Sequence, residues 1–324
     1  MTVFSFVYLF GGAAILMIAG DLLVRGAMGI SLRSGLSATF VSLTVVALGT
    51  SLPELIVSVQ AALSGSTDMA LGNVIGSNIA NVLLILGVPA LILAVNTNAK
   101  EHKRNVMMMM LATLAFGAVS WTGSINKAAG VGFLVALVVI IALSLYFSRQ
   151  PETAAATATP TNESTGEDNP ADLSATKLAA FILVGVIGLP IGAHGLIEGA
   201  RDIALAIGLS ETAIGLTIIA LGTSLPELAA SVAAAWRGRT DVIMGNVIGS
   251  NLMNVLAIIG VTSLITPLNT SAYLVKLDVM MLVAVSAILS LIVFAKWPIG
   301  KGLGMAFLAG YAGFTALALS HTVG

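Results

Sequence analysis

Shifted by 173 residues, the chain repeats itself: residues 43 to 88 align with 216 to 261 without a gap, and 31 of the 46 positions are identical. GTSLPE at 49 to 54 returns at 222 to 227, GNVIGSN at 72 to 78 returns at 245 to 251, and Asn81 is matched by Asn254. Any fold must therefore hold two copies of one unit. The surrounding sequence is apolar. Of 324 residues 57% are hydrophobic and 9% charged, with a mean hydropathy of +1.03, too little charge to cover a globule in water. The apolar residues fall into blocks of roughly twenty, the length with which a helix crosses about 30 Å of hydrocarbon. Ten such blocks are expected to span, at 3–24, 37–63, 69–95, 106–122, 129–148, 177–198, 211–236, 242–266, 276–295 and 302–320. Runs such as 131–147 do not alternate as the strands of a membrane barrel would. The expected fold is an all-α integral membrane protein.

Each half carries five spans, an odd number, so the second copy enters the membrane from the opposite side and the repeats are inverted. Residues 1–148 form the first five-helix repeat and 177–324 the second. Between them, 149–176 is rich in Ala, Thr and Pro with Glu152, Glu163, Glu167, Asp168 and Asp172, and reads as a disordered tether. Counting Lys and Arg by alternate loops gives eleven on the side of that linker and three on the other. Basic residues stay in the cytoplasm, which places the linker there and both termini outside. The N-terminal apolar block has no basic region ahead of it and no small-residue cleavage site, so it reads as a span. Cysteine is absent, which excludes disulfides, thiolate metal sites and cysteine nucleophiles. The net charge of -1 offers nothing to nucleic acid.

A carboxylate at the centre of a spanning helix costs about 2.5 to 3.5 kcal/mol on insertion scales. Glu54 and Glu227 stand there, each following a proline, at equivalent places in the inverted copies. Pro53 and Pro226 disturb the helix bonds to the carbonyls of Gly49 and Gly222, which frees backbone oxygens. Thr50 and Ser51 share a helical face with Glu54, as Thr223 and Ser224 do with Glu227. Ser77 with Asn81, and Ser250 with Asn254, are spaced four apart and line a face of the following helix. Every one of these groups offers oxygen, the donor chosen by Ca2+ and Na+, whereas Zn2+ or Cu+ would call for His, Cys or Met. Two neighbouring carboxylates attract protons as well as cations, so acidic pH is expected to inhibit.

GTSLPE followed by GNVIGSN, occurring twice, resembles the alpha repeats of the sodium/calcium exchanger superfamily, especially its compact prokaryotic members. The resemblance covers the whole chain. It implies exchange of external Na+ for internal Ca2+ by alternating access, with long first and sixth helices sliding past a bundle that holds the site. By motif position it implies ion ligands at Ala47 and Ala220 (backbone oxygen), Thr50, Thr223, Ser51, Ser224, Glu54, Glu227, Ser77, Ser250, Asn81 and Asn254. Some relatives have Asp where this chain has Asn254, which leaves two carboxylates here instead of three. Proton-coupled relatives show a GNxxE-like pattern in place of GTSLPE, and H+/Ca2+ exchange is the alternative. The implied substrates are Ca2+ and Na+, with no resident cofactor; the absence of cysteine and the short linker suggest a plasma (inner) membrane.

A channel would need only its gradient, but duplicated inverted copies with broken helices favour alternating access. HExxH, GxSxG and paired aspartates are missing, and His102, His194 and His321 are scattered, so an enzyme is not expected. Gly72, Gly76, Gly245 and Gly249 form small-xxx-small pairs and are read as packing residues. Asn73, Asn78, Asn246 and Asn251 are read as bridging helices at least as readily as touching ions. The run Met107 to Met110 points around its helix and is expected to meet lipid. Asp68 and Asp241 are read as helix-start residues. Asp21 and Glu198 are expected to pair with Arg25 and Arg201.

Overall fold

A computed structural model describes residues 3–149, 170–207, 220–270 and 273–322. The described chain is almost entirely helical. Long helices run over Val3–Ser34 (α1), Ala38–Thr50 (α2), Leu52–Leu63 (α3), Thr67–Ile92 (α4), Lys100–Trp121 (α5) and Lys127–Ser148 (α6). The second half supplies Ala175–Ala206 (α7), the short Ala220–Gly222 (α8), Leu225–Trp236 (α9), Thr240–Ile265 (α10), Tyr273–Phe294 (α11) and Lys301–Thr322 (α12). Adding 173 to the bounds of α3, α4 and α5 returns those of α9, α10 and α11, so the sequence repeat is a structural one.

Six helices are long and apolar enough to cross a membrane, or seven when α2 and α3, bent by 46° at Ser51, are taken as one broken span. The expected span at 106–122 lies in a full-length helix whose opening turns carry Lys100, Glu101, Lys103 and Arg104, and the expected span at 302–320 lies in α12. Of the expected span 211–236, residues 211–219 lie outside the described residues, and so do 150–169 of the linker. The linker's last residues do have structure: a single 3-10 turn at Pro170–Asp172 precedes α7, and an Arg33 guanidinium N–H at the end of α1 donates to the Leu173 carbonyl.

Two pairs of short contacts relate the halves. Ser124–Ile125 pairs antiparallel with Leu268–Asn269, and Val95 bridges Ile299. Leu268 stands 173 beyond Val95 and Ile299 stands 174 beyond Ile125, so each half gives the other the contact it receives, as across a two-fold axis. The first helices of the halves obey the same relation. Gly12 of α1 lies against Gly192 and Leu196 of α7, and Gly26 against Leu178 and Ile182, so the two helices run antiparallel.

Close approach is also built into α10 where it crosses α2. A Cβ placed on Gly245 would stand 2.5 Å from the Thr39 carbonyl oxygen, and one on Gly249 2.4 Å from that of Leu43. These two glycines let two backbones touch, which confirms their packing role. No described atom lies within 4 Å of a Cβ built at Gly72 or Gly76. The main core gathers Leu71, Val74, Ile75 and Ile79 of α4 with Ile243, Val247 and Ile248 of α10, so the two most duplicated helices are also the most central.

Gly249→Leu should cost at least about 1 to 3 kcal/mol through overpacking, seen as a lower denaturation midpoint in detergent. Gly11→Ala, where a Cβ meets nothing within 4 Å, should hold or raise that midpoint.

Candidate ion-binding site

The break between α2 and α3 follows from Pro53. Without an amide hydrogen, proline fits best in the first turn of a helix, and Pro53 stands there in the new helix that starts at Leu52. Ser51 leaves helical geometry at φ -85° and ψ 7°, and Ser224, before Pro226, does the same at φ -86° and ψ 0°. Each break puts a glutamate in the first turn of a helix, where the aligned peptide dipoles favour negative charge. A wider backbone turn follows on α10 at Met253–Ile258, which includes Asn254. At the matching place on α4 the Ile85 N–H reaches back to the Ala80 carbonyl, beside Asn81. Such π-type turns often mark functional positions inside helices.

The breaks converge. Glu54 and Glu227 are each 1% exposed, although no other carboxylate of the chain is buried so far among the described residues. The Ser51 hydroxyl of the first half donates to Glu227 Oε1 of the second at 3.1 Å, and the Thr223 hydroxyl lies beside Glu54. The Thr50 hydroxyl stands 3.4 Å from Asn246 Oδ1, and Asn81 Nδ2 donates to Asn251 Oδ1 at 3.0 Å. Thr50, Ser51, Ser77, Asn81, Ser224, Ser250 and Asn254 are all buried. The structure thus brings residues of both halves into one centre. The Ala47 carbonyl accepts from the Ser51 N–H at 3.0 Å and faces the Thr50 hydroxyl at 3.3 Å. In the second half the Ser224 N–H goes to Leu221 instead of Ala220, so the two breaks differ in detail.

The polar atoms of this centre outnumber their partners. Glu54 Oε2, Glu227 Oε2, Asn81 Oδ1, Ser250 Oγ and both amide atoms of Asn254 are buried with no hydrogen-bond partner. Among the described residues no Lys, Arg or His forms an ion pair with either glutamate. A buried charge without a partner is costly unless it coordinates a cation. The donor set fits that role: two carboxylates, hydroxyls and amide oxygens suit a hard cation. Among the described residues no group of three or more His, Cys, Asp or Glu comes together.

Asn73 and Asn246 bridge helices. Asn73 Nδ2 donates to the Glu54 carbonyl at 3.2 Å and to Ser58 Oγ at 2.9 Å; Asn246 Nδ2 donates to the Glu227 carbonyl at 3.2 Å and to Ser231 Oγ at 3.0 Å. Each therefore clamps the backbone of the acidic residue to the next helix. Sequence reasoning missed Ser58 and Ser231, though both recur at the 173 offset, four residues after a key glutamate. Met109 corrects the expectation of lipid contact for the methionine run: it is 1% exposed and its sulfur accepts from Asn251 Nδ2 at 3.6 Å, while Met107 is exposed. Asp21 does pair with Arg25, at 3.9 Å, and also with Arg237 at the C-terminal cap of α9, a partner the sequence did not suggest. Asp241 sits in the first turn of α10, as expected, and is held by Arg239 at 2.6 Å.

Fold and centre together define a multi-pass membrane protein whose two repeated halves enclose a pair of buried carboxylates. The family profile described as "Sodium/calcium exchanger protein" matches residues 4–146 and 177–320. The chain is 32% identical to the inner membrane protein YrbG of Escherichia coli over 94% of each protein. It is 28% identical to the sodium/calcium exchanger MaX1 of Methanosarcina acetivorans, over 97% of this chain and 98% of that one. A solved structure of the sodium-calcium exchanger NCX_Mj superposes with a TM-score of 0.82 at 31% identity, covering 96% of this chain and 98% of that one. This chain belongs to the sodium/calcium exchanger family, whose members are cation/Ca2+ antiporters.

Asn246→Ala should lower stability by about 1 to 3 kcal/mol, because it strands a buried hydroxyl and a carbonyl. Asn73→Ala should cost less, since Asn73 is only half-buried and water can replace its amide. Denaturation midpoints of the two variants in detergent check that order.

Proposed function

We propose that this protein exchanges Na+ for Ca2+ by alternating access, at a site made by Ala47, Thr50, Ser51, Glu54, Ser77 and Asn81 with Ala220, Thr223, Ser224, Glu227, Ser250 and Asn254. The observation that carries the proposal is the set of buried oxygens without partners, led by Glu54 Oε2 and Glu227 Oε2. One Ca2+ neutralises both carboxylates. Na+ ions spread over neighbouring oxygens do the same, and the two kinds of cation therefore compete for shared ligands.

Obligatory exchange needs the empty, doubly negative site to resist crossing between its inward and outward forms. Burial of two uncompensated carboxylates in a low dielectric supplies that resistance, and either cation load removes it. Neutral amides at Asn81 and Asn254 keep the charge to be balanced at two. The similarity to MaX1 and NCX_Mj, both named sodium/calcium exchangers, supports Na+ as the counter-ion.

Ten spans in two inverted halves fit the parity of the repeat and the antiparallel packing of α1 on α7. On this reading both termini lie outside a plasma (inner) membrane, the linker is cytoplasmic, and the α1–α7 pair slides against the bundle that holds the site.

In proteoliposomes loaded with Na+, 45Ca2+ uptake should follow the outward Na+ gradient, and Glu54→Gln or Glu227→Gln should cut it by roughly tenfold or more, since each removes a charge that the cation neutralises. Uptake driven by a proton gradient alone would establish H+/Ca2+ exchange instead. Undiminished uptake in both variants would remove these carboxylates from the site.

A further inference from the structure

Three buried side chains form a directed relay beside the centre. Met109 Sδ accepts from Asn251 Nδ2 at 3.6 Å, and Asn251 Oδ1 accepts from Asn81 Nδ2 at 3.0 Å. Met109, Asn251 and Asn81 are each 1% exposed, so water does not compete for these bonds. The direction of the relay has a chemical origin. A thioether can accept a hydrogen bond but has no hydrogen to donate. Met109 therefore draws the NH2 end of Asn251, which leaves the Asn251 oxygen to face Asn81. That oxygen draws the NH2 end of Asn81 in turn, and Asn81 Oδ1 is left buried without a partner.

The orientation matters because the two ends of an amide are alike in shape and opposite in polarity. An oxygen attracts a cation and an NH2 group repels it. A buried asparagine with no orienting neighbour presents either end, and only one of them binds. We propose that Asn251, itself fixed by Met109, is a positioning residue that holds the oxygen end of Asn81 toward the transported cation. The inference rests on the reading of Asn81 as an ion ligand.

The second half lacks this device. Helices α5 and α11 share the 173 register, so the counterpart of Met109 is Leu282, which has no acceptor. The counterpart of Asn251 is Asn78, whose Nδ2 turns onto its own helix and donates to the Val74 carbonyl at 2.6 Å. Asn254, the counterpart of Asn81, has neither amide atom bonded. The repeats thus supply two amides of unequal kind, one with its polarity set by neighbours and one left to turn. At the position of Met109 the two halves differ by a methionine and a leucine, outside the duplicated motifs.

The test measures the KM and maximal rate of Na+-driven 45Ca2+ uptake for Met109→Leu and Asn251→Leu, in the natural background and in an Asn81→Asp background. A carboxylate has two equivalent oxygens and no polarity to set. With Asn81 present, each substitution should raise KM roughly three- to tenfold, the worth of one oriented hydrogen bond, with the maximal rate within about twofold. With Asp at position 81 the same substitutions should move KM by less than about twofold. Asn251→Asp, which can only accept, should restore KM in the Met109→Leu protein.

Ca2+-induced shifts in melting temperature of the purified variants give the same comparison if a background transports poorly. A role confined to helix packing predicts equal effects in both backgrounds and no rescue by Asn251→Asp, and that pattern overturns the proposal. Asn81→Ala separates the two layers. If it leaves KM unchanged, Asn81 is no ligand and the inference falls with that reading. If it raises KM while Met109→Leu and Asn251→Leu do not, the ligand stands and the positioning role is wrong.

Discussion

Two carboxylates buried inside a bundle of apolar helices, with no basic side chain paired to them among the described residues, impose the conditions that the rest of the molecule satisfies. The side chains that donate to Glu227 and Glu54 include the hydroxyls of Ser51 and Thr223, groups that stabilise negative charge without cancelling it. On the proposed reading, full compensation is left to a cation from water. The helix breaks at Ser51 and Ser224 serve the same end, since they set each glutamate in a first turn where unpaired N–H dipoles point its way. Asn73 and Asn246 then anchor the backbone of each glutamate to the next helix.

Building the centre from two halves requires backbones to come very close. Gly245 and Gly249 allow α10 to lie on the carbonyls of α2, and the same economy of side chains lets α1 and α7 run together through Gly12, Gly26, Gly192 and Gly199. In lipid this packing replaces the hydrophobic effect, which offers little drive between helices already out of water. The Asp21 link to Arg237 joins the α1–α7 pair to α9 by charge, near the end of the helix that carries Glu227.

Much of this was legible in the sequence because duplication marks positions twice. Glu54 and Glu227, Ser51 and Ser224, Asn81 and Asn254 could be picked out by recurrence and by the improbability of an acid in an apolar run. What lay across from them could not. Periodicity tells which residues share a face of one helix, but Met109 meets Asn251 over a separation of 142 residues, and Arg237 meets Asp21 over 216. The methionine run looked like lipid-facing filler because helical geometry alone gives each of its members a different direction; only the neighbouring helix decides which one is buried. Ser58 and Ser231 carried the recurrence signal and were overlooked because a serine in a span, unlike a glutamate, raises no energetic objection.

The bond from Ser51 to Glu227 joins residues 176 apart in the chain. At the usual pace of synthesis, about 5 to 20 residues per second, roughly ten to thirty-five seconds separate the emergence of the two. During that interval the first half sits in the membrane with Glu54 lacking Thr223, and with the β-contacts of Val95 and Ile125 waiting for Ile299 and Leu268. The nascent half is thus an incomplete object. Until its twin arrives Glu54 lacks the hydroxyl that meets it in the complete protein, so the surroundings of the buried acid in the first half are finished only by the second.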